Sequence, residues 1–280
     1  MIKVALPNKG VLFEPTVELL SSCGYRAGRT ATSLSSFDAE NGVEFYFLRP
    51  GDIPVYISNG ILDAGITGKD FVAEQGLDAA LLQDLNYGGS RLHAAVPESS
   101  PVTSLDEVAA LRIATSLPNI VRKFFAPRAV NIVELEGAVE ISVQLGIAEA
   151  VVDVVDTGST LKQAGLRTVG KPLFVSNAAL FAHPGREEQE EVLVLKSRIE
   201  GKLVAYEYMM VEYDVPLDIL PLACTITPGI ESPTVMPLQA EGWYGVKAMV
   251  RRKDANRIMD ELSRAGCKGI LLTSIESARI

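Results

Sequence analysis

Histidine is almost missing: the 280 residues contain two, His93 and His183. Metal centres built on several imidazoles are thereby excluded, and a Ser-His-Asp triad would have to use one of these two. His93 sits in the strand-like run RLHAAVP and His183 in the turn HPGREEQ, so neither is expected to act as a catalytic base. Cysteine is scarce too. Cys23, Cys224 and Cys267 form neither a disulfide framework nor a CxxC zinc site, and reduced, packed thiols in a cytoplasmic protein are expected. No stretch approaches the ~18 consecutive apolar residues of a membrane span. The opening run MIKVAL breaks at Pro7, too early for a secretory signal. Positive charge is outnumbered, 26 Lys and Arg against 35 Asp and Glu, for a net −9. Such a chain lacks the broad positive field that nucleic acid or an anionic membrane requires, although a local basic pocket is allowed. GxxxxGK[ST] and GxGxxG are both absent, so triphosphate hydrolysis on a P-loop and dinucleotide redox chemistry lack their usual loops.

What is present is an alternation of short apolar runs with helical stripes. Ile2–Leu6 reads as a strand, PNKG as a turn, and Leu12, Val17, Leu19 and Leu20 as a helix ending near Gly24. Val43–Leu48 is a second strand, closed by Arg49-Pro50-Gly51, with Asp52 placed to cap a helix that runs to Asn59-Gly60. Leu62–Thr67 is a third, ending in TGKD. The middle of the chain repeats this plan with strands Leu111–Thr115, Asn131–Leu135 and Ala150–Val155, and a helix from about Ala138 to Gly146. Gly60–Thr67 aligns without gaps on Gly146–Asp153. Two similar α/β halves imply two lobes with parallel sheets and a cleft between them. Ligands of such sheets sit outside the carboxyl ends of the strands, where PNKG, LRPGD, TGKD, SLPN, LEGAVE and DTGST all fall.

The acidic run EEQEE reads as the solvated start of a helix whose Val192, Leu195, Ile199 and Leu203 form a core or interface stripe. From Tyr208 the pattern changes. YMMVEYD is a strand, Pro216–Ala223 a helix, ITPGIESPTVMPL a turn and strand, Trp243–Arg251 a strand, Asp254–Ala265 an amphipathic helix, and Gly269–Ile280 a last strand. That βαββαβ order reads as a small ferredoxin-like module.

The sharpest local signal is VVDVVDTGSTL, residues 151–161. A carboxylate at the end of an aliphatic strand accepts hydrogen bonds from vicinal ribose hydroxyls. A glycine lets backbone amides approach a phosphate, hydroxyls add donors, and a helix N-terminus adds its dipole. The same hydroxyls would equally serve as an ordinary helix cap.

The motifs LPNKG (6–10), VEFYFLRPGDIPVYI (43–57), LDAGITGKD (62–70), LRIATSLPNIVRK (111–123), LEGAVEISVQLGIAEAVVDVVDTGSTL (135–161) and TITPGIESPTV (225–235) together resemble the long-form ATP phosphoribosyltransferases of actinobacterial type, over essentially the whole chain. The resemblance implies a two-lobed, periplasmic-binding-protein-like catalytic core plus a C-terminal ferredoxin-like (ACT-like) regulatory domain. Lobe one would comprise residues 1–90 and 179–207, lobe two residues 91–178, and the regulatory domain residues 208–280. It implies transfer of phosphoribosyl from phosphoribosyl pyrophosphate to N1 of the adenine of ATP, with Mg²⁺ carried mainly by the pyrophosphate rather than by protein ligands. Histidine would be a feedback inhibitor, and the enzyme a homo-oligomer, from dimer to hexamer. Carried onto this chain, Asp153 would hold the ribose hydroxyls. Thr157, Gly158, Ser159 and Thr160 would cradle the 5′-phosphate, and Glu140, with Gly137 and Ala138, one turn into the helix beside that loop, would reach the ribose or a Mg²⁺-bound water. Lys9, Arg49 and Lys69 would meet pyrophosphate or ATP phosphates, and Asp70 would orient one of them or contact a substrate hydroxyl. Two departures stand out: Leu117 occupies the place of a tyrosine expected to stack on the purine, and Lys69 that of an arginine, keeping charge but losing bidentate geometry. The positions matching the histidine site are Asp214, Ile230, Ser232, Thr234, Met249 and Gly269. The residues by themselves leave open a two-lobed binding protein without catalysis, a phosphoribosyltransferase acting on a free base, or a pure amino-acid sensor. For Asp214 they also leave open a role as helix cap.

Overall fold

Apolar runs of this kind, bounded by glycine and proline, suit strands covered on both faces better than half-solvated ones. The computed structural model describes residues 1–28, 33–155 and 159–280, without the side chains of Ser159 and Thr160. It divides into two compact units, Met1–Lys196 and Ser197–Ile280. The strands of the first unit are β1 (Ile2–Pro7), β2 (Ser35–Asp38), β3 (Val43–Leu48), β4 (Ala64–Gly68), β5 (Ala80–Asp84), β6 (Ser90–Pro97), β7 (Arg112–Thr115), β8 (Asn131–Glu134), β9 (Ala150–Val154), β10 (Leu166–Ser176) and β11 (Ala178–Ala182). They form two sheets, ordered β2-β3-β1-β4-β11-β5 and β10-β6-β9-β7-β8. Within each, three neighbouring strands run parallel, β3-β1-β4 and β8-β7-β9. The chain crosses from the first lobe to the second between β5 and β6, and returns through Asn177 alone, between β10 and β11.

The internal repeat reaches the level of single hydrogen bonds. Val4 and Ala5 pair with Ala64 and Gly65 in the first lobe, as Ile113 and Ala114 pair with Ala150 and Val151 in the second. Asp63 takes the Lys3 amide on its carboxylate at 2.7 Å and returns its own amide to the Lys3 carbonyl at 2.9 Å. Glu149 does the same with Arg112, at 3.0 and 2.9 Å. The preceding helices, Ile53–Ser58 and Ile141–Gln144, both end before a glycine in the left-handed region, Gly60 at φ 69° and Gly146 at φ 70°. Other residues resist that conformation because of their Cβ. The cores are filled by large side chains such as Leu6, Phe45, Phe47, Ile113 and Leu180, none more than marginally exposed. Each contributes roughly 1.5–3 kcal/mol on burial.

Several element boundaries differ from those read in the sequence. Asp52 precedes helix Ile53–Ser58 but does not cap it: its backbone is already helical (φ −87°, ψ −23°), so the carboxylate cannot turn back onto the first amides. The helix expected over 138–146 contracts to Ile141–Gln144, because Ala138 takes a positive φ of 49° that no helix accommodates. The helix expected at Pro216–Ala223 lies at Leu220–Ile226, since Pro216 still pairs with Trp243 in the sheet.

The second unit contains β12 (Tyr208–Pro216), β13 (Thr234–Pro237), β14 (Trp243–Arg251) and β15 (Lys268–Ser274), all antiparallel, ordered β13-β14-β12-β15. With helices Leu220–Ile226 and Ala255–Ala265 this is the βαββαβ module. Val211, Tyr213, Val215, Val246, Ala248 and Val250 share a core with residues of both helices. The alternate positions therefore face the other way. Helix Glu190–Glu207 buries Val192, Leu195, Ile199 and Leu203, the stripe read from the sequence. Among the described residues no helix is long and apolar enough to cross a membrane.

Candidate active site

The repeat diverges where its strands end. In the first lobe its last residue is Thr67, fully buried, with its hydroxyl donating to the Pro50 carbonyl at 2.7 Å. The equivalent residue in the second lobe is Asp153, half-buried near the end of β9. Its Oδ1 accepts the Val154 amide at 2.8 Å. Burial pushes the Asp153 carboxyl above the usual range, the Val154 amide pulls it back, and the charge of Glu140 adds to the rise. A carboxylate so placed is short of donors, and vicinal hydroxyls of a bound sugar would supply them. Glu140 immediately precedes helix Ile141–Gln144 rather than lying one turn inside it, and Gly137 and Ala138 are exposed in the turn before it. Thr157 and Gly158 lie outside the described residues; Ser159 and Thr160 open helix Ser159–Gln163.

The cations expected to meet phosphates divide into two groups. Lys9 and Arg49 follow β1 and β3, neighbouring parallel strands joined at this end by the Asn8 amide on the Leu48 carbonyl (2.8 Å), and both are exposed. Lys69 opens helix Lys69–Gln75 with its Nζ 2.8 Å from Asp84 Oδ1. Asp70 is tied to the second lobe: its amide donates to Ser176 Oγ at 3.0 Å, and that hydroxyl donates to Asp70 Oδ1 at 2.9 Å. Leu117 sits at the cap position of helix Pro118–Phe125, its amide on Thr115 Oγ1 at 3.0 Å.

A cavity of about 590 Å³ opens where the chain crosses between the lobes, lined by Lys69, Asn86, Ser90, Arg91, Val155 and Ser176, among others. It joins Lys69 to the end of the segment that carries Asp153; Lys9 and Arg49 do not line it. Arg91 and Asn86 were not singled out in the sequence. The visible signals were modest: a basic residue just after the GGS turn, and an asparagine, one of the few residues that tolerates the φ of 60° found here. His93 is the register partner of Asp153 across β6 and β9. Burial and the nearby Arg91 charge lower its pKa. Among the described residues no three of His, Cys, Asp and Glu gather into a group that could hold a metal ion.

In the second unit, Asp214 pairs with Gly245, and Met249 with Met210, on the face turned away from the helices. Thr234 opposes Lys247 and belongs to that same face. A Cβ built on Gly269 would lie 3.3 Å from Asp214 Oδ2, so the two are neighbours. Ile230 and Ser232 are exposed in the turn before β13. Asp214 is not a helix cap, because β12 continues past it to Pro216 and the next helix starts at Leu220.

Residues 49–201 match the family described as ATP phosphoribosyltransferase, and residues 205–277 that described as the HisG C-terminal domain. The ATP phosphoribosyltransferase of Salinibacter ruber is 44% identical, and that of Mycobacterium tuberculosis 43%, each aligned over 100% of both chains. Among solved structures, the ATP phosphoribosyl transferase (HisG:HisZ) complex from Thermotoga maritima superposes with a TM-score of 0.61 at 26% identity, covering 71% of this chain and 96% of that one. Two lobes of one repeat, a desolvated carboxylate at the end of a second-lobe strand and full-length identity of this order agree: the chain belongs to the ATP phosphoribosyltransferase family, enzymes of the pentosyltransferase class.

Proposed function

We propose that the chain joins N1 of the adenine of ATP to C1′ of 5-phosphoribosyl 1-pyrophosphate, giving N1-(5-phosphoribosyl)-ATP and pyrophosphate, the first step of histidine biosynthesis. The observation that carries this reading is Asp153, a half-buried carboxylate near the end of β9 whose one donor among the described residues is the Val154 amide, with Lys69 and Arg91 in the cavity beside Val155. In the reaction the C1′–O bond to pyrophosphate breaks with its electron pair leaving on oxygen, and the adenine N1 lone pair forms the new bond. Positive character develops on the pentose and negative charge on the leaving group. Catalysis is then positioning plus electrostatics, with little call for an imidazole. Asp153 holds the ribose hydroxyls, and residues 157–160 cradle the 5′-phosphate with Gly137, Ala138 and Glu140 alongside. Lys9, Arg49 and Lys69 meet the phosphates from the first lobe. Asp84 holds the Lys69 ammonium, and Asp70, bound to Ser176, orients one of the cations or contacts a substrate hydroxyl. Mg²⁺ enters as part of the pyrophosphate substrate. Leu117 offers the purine an apolar contact in place of aromatic stacking.

Histidine is proposed to bind the open face of the second unit, where the Asp214 carboxylate meets its ammonium or imidazole group and Ile230, Ser232, Thr234, Met249 and Gly269 complete the contacts. By its differential affinity for two arrangements of the enzyme it lowers the rate. The assembly is proposed to be a homo-oligomer, from dimer to hexamer. The direct test is pyrophosphate release from ATP plus phosphoribosyl pyrophosphate, with and without histidine. Release that requires both substrates and falls with histidine is expected. Release with free adenine or orotate but not with ATP would overturn the substrate assignment, and a rate indifferent to saturating histidine the regulatory one.

A further inference from the structure

Helix Pro118–Phe125 has an N-terminus that its own sequence leaves uncapped. Leu117 offers no side-chain acceptor at the cap position, and Pro118, next in line, has no amide hydrogen. The amides of Asn119 and Ile120 need an acceptor from elsewhere. It comes from the other lobe. Glu74, on helix Lys69–Gln75, accepts the Asn119 amide on Oε1 at 2.9 Å and on Oε2 at 3.1 Å, and the Ile120 amide on Oε2 at 3.0 Å. Asn119 Nδ2 donates in return to the Glu74 carbonyl at 2.9 Å, while its Oδ1 accepts from Arg122 at 3.0 Å. The same first-lobe helix is held at its other end as well. The Lys69 amide donates to the Asn177 carbonyl at 3.1 Å, Asp70 binds Ser176, and Ala73 packs against the second-lobe core between them.

We propose that Glu74 is a positioning residue for the transfer reaction: reaching across the cleft, it supplies the missing cap and so holds the Leu117-Pro118-Asn119 turn where the adenine of ATP is received. The inference rests on the proposed function, in which that turn contacts the purine. A carboxylate is the right group for the task, since it takes two amides at once and its charge complements the helix dipole. Hydrogen bonds of this length exist only at the lobe separation found here. Opening the cleft uncaps the helix, so ordering of the turn and closure of the lobes are one event. A cap drawn from within the second lobe would leave the turn indifferent to closure.

The test uses the full chain with Glu74→Ala and Glu74→Gln. In Glu74→Ala, hydrogen exchange at the Asn119 and Ile120 amides accelerates by about tenfold or more, the ratio that a loss of about 1.4 kcal/mol would give. The KM for ATP rises about tenfold, while kcat at saturation and the KM for phosphoribosyl pyrophosphate stay within about twofold. Glu74→Gln keeps one acceptor oxygen and recovers part of both effects, which also covers an alanine variant that folds poorly. Unchanged exchange at the two amides would overturn the cap. Faster exchange with an unaltered KM for ATP, or a parallel loss of kcat and both KM values that tracks the melting temperature, would overturn the positioning role. Absence of transfer by the unaltered chain is a different failure, that of the functional reading, and is seen before any variant is made; the exchange measurement still decides whether Glu74 is the cap.

Discussion

The two lobes of the first unit are built on one plan and do different work. Both carry three parallel strands in the same order, a left-handed glycine after the preceding helix, and a carboxylate that bonds back to the amide of the neighbouring strand. They part at the strand ends. In the first lobe the last residue of the repeat is a threonine satisfied by a carbonyl, and the exposed or half-exposed neighbours are cations, Lys9, Arg49 and Lys69. In the second it is a half-buried aspartate whose one donor among the described residues is the Val154 amide, and glycine and hydroxyl residues follow in the sequence. The scaffold sets where a strand stops, and the residue at the stop sets the chemistry the lobe offers there, cations in the first and a carboxylate in the second.

Replacing the divergent residue should break the comparison hardest. Asp153→Asn removes the acceptor and is expected to lower kcat/KM by about 10²–10³ or more, in the range for loss of one well-placed electrostatic group. Its fold should not suffer. The carboxyl binds its proton more tightly in the folded chain than in the unfolded one, so ionisation costs stability. That cost appears as pH rises through the ordinary carboxylate range and is complete above the raised pKa. At neutral pH the asparagine variant should therefore melt at or slightly above the parent temperature. In the parent, kcat/KM should fall on the acid side with an apparent pKa above that of an exposed aspartate. A normal turnover number in Asp153→Asn would remove the ribose assignment.

The shared carboxylates sharpen the comparison at the level of stability. Asp63, with its side chain 14% exposed, serves the Lys3 amide and pairs with Arg186. Glu149, 51% exposed, serves the Arg112 amide and pairs with the Arg112 side chain at 3.6 Å. Asp63→Ala should cost about 1–3 kcal/mol in denaturant unfolding, because it leaves the Lys3 amide and a partly buried guanidinium without their acceptor. Glu149→Ala should cost about 0.5–1 kcal/mol, since water replaces most of what is lost. Equal costs would mean that the two struts are equally buried in solution. An effect of similar size is expected at the partner of the divergent position. Thr67→Val loses one hydrogen bond to Pro50 and should cost about 1 kcal/mol with the rate of transfer unchanged.

Much of the fold was legible because it rests on local patterns. Apolar runs such as IKVAL and VEFYF are closed by proline within a few residues, and their continuous or alternating apolar pattern stands out against the turns around them. The positions of the candidate residues were legible for the same reason: Lys9, Arg49 and Lys69 follow a strand and Asp153 lies near the end of one. What stayed hidden depended on backbone angles or distant partners. The helix around Ala138 looked longer than it is because nothing in LEGAVE announces a positive φ at an alanine. Asp52 looked like a cap, yet its own φ and ψ turn the carboxylate away. Arg91 belongs to no motif and becomes part of the site only where β6 leaves the crossing beside Val155.

The amino-acid sequence by itself determined the repeat, the strand ends and the kinds of side chain that stand there, because hydrophobic periodicity and glycine act within a few residues of their own position. Only the tertiary structure decided which of those ends meet. The pairing of His93 with Asp153 comes from strand order within the second lobe, while the Ser176 hydroxyl on Asp70 and the Glu74 carboxylate on a helix 45 residues away come from two lobes meeting each other; all depend on distances in space that no local pattern encodes.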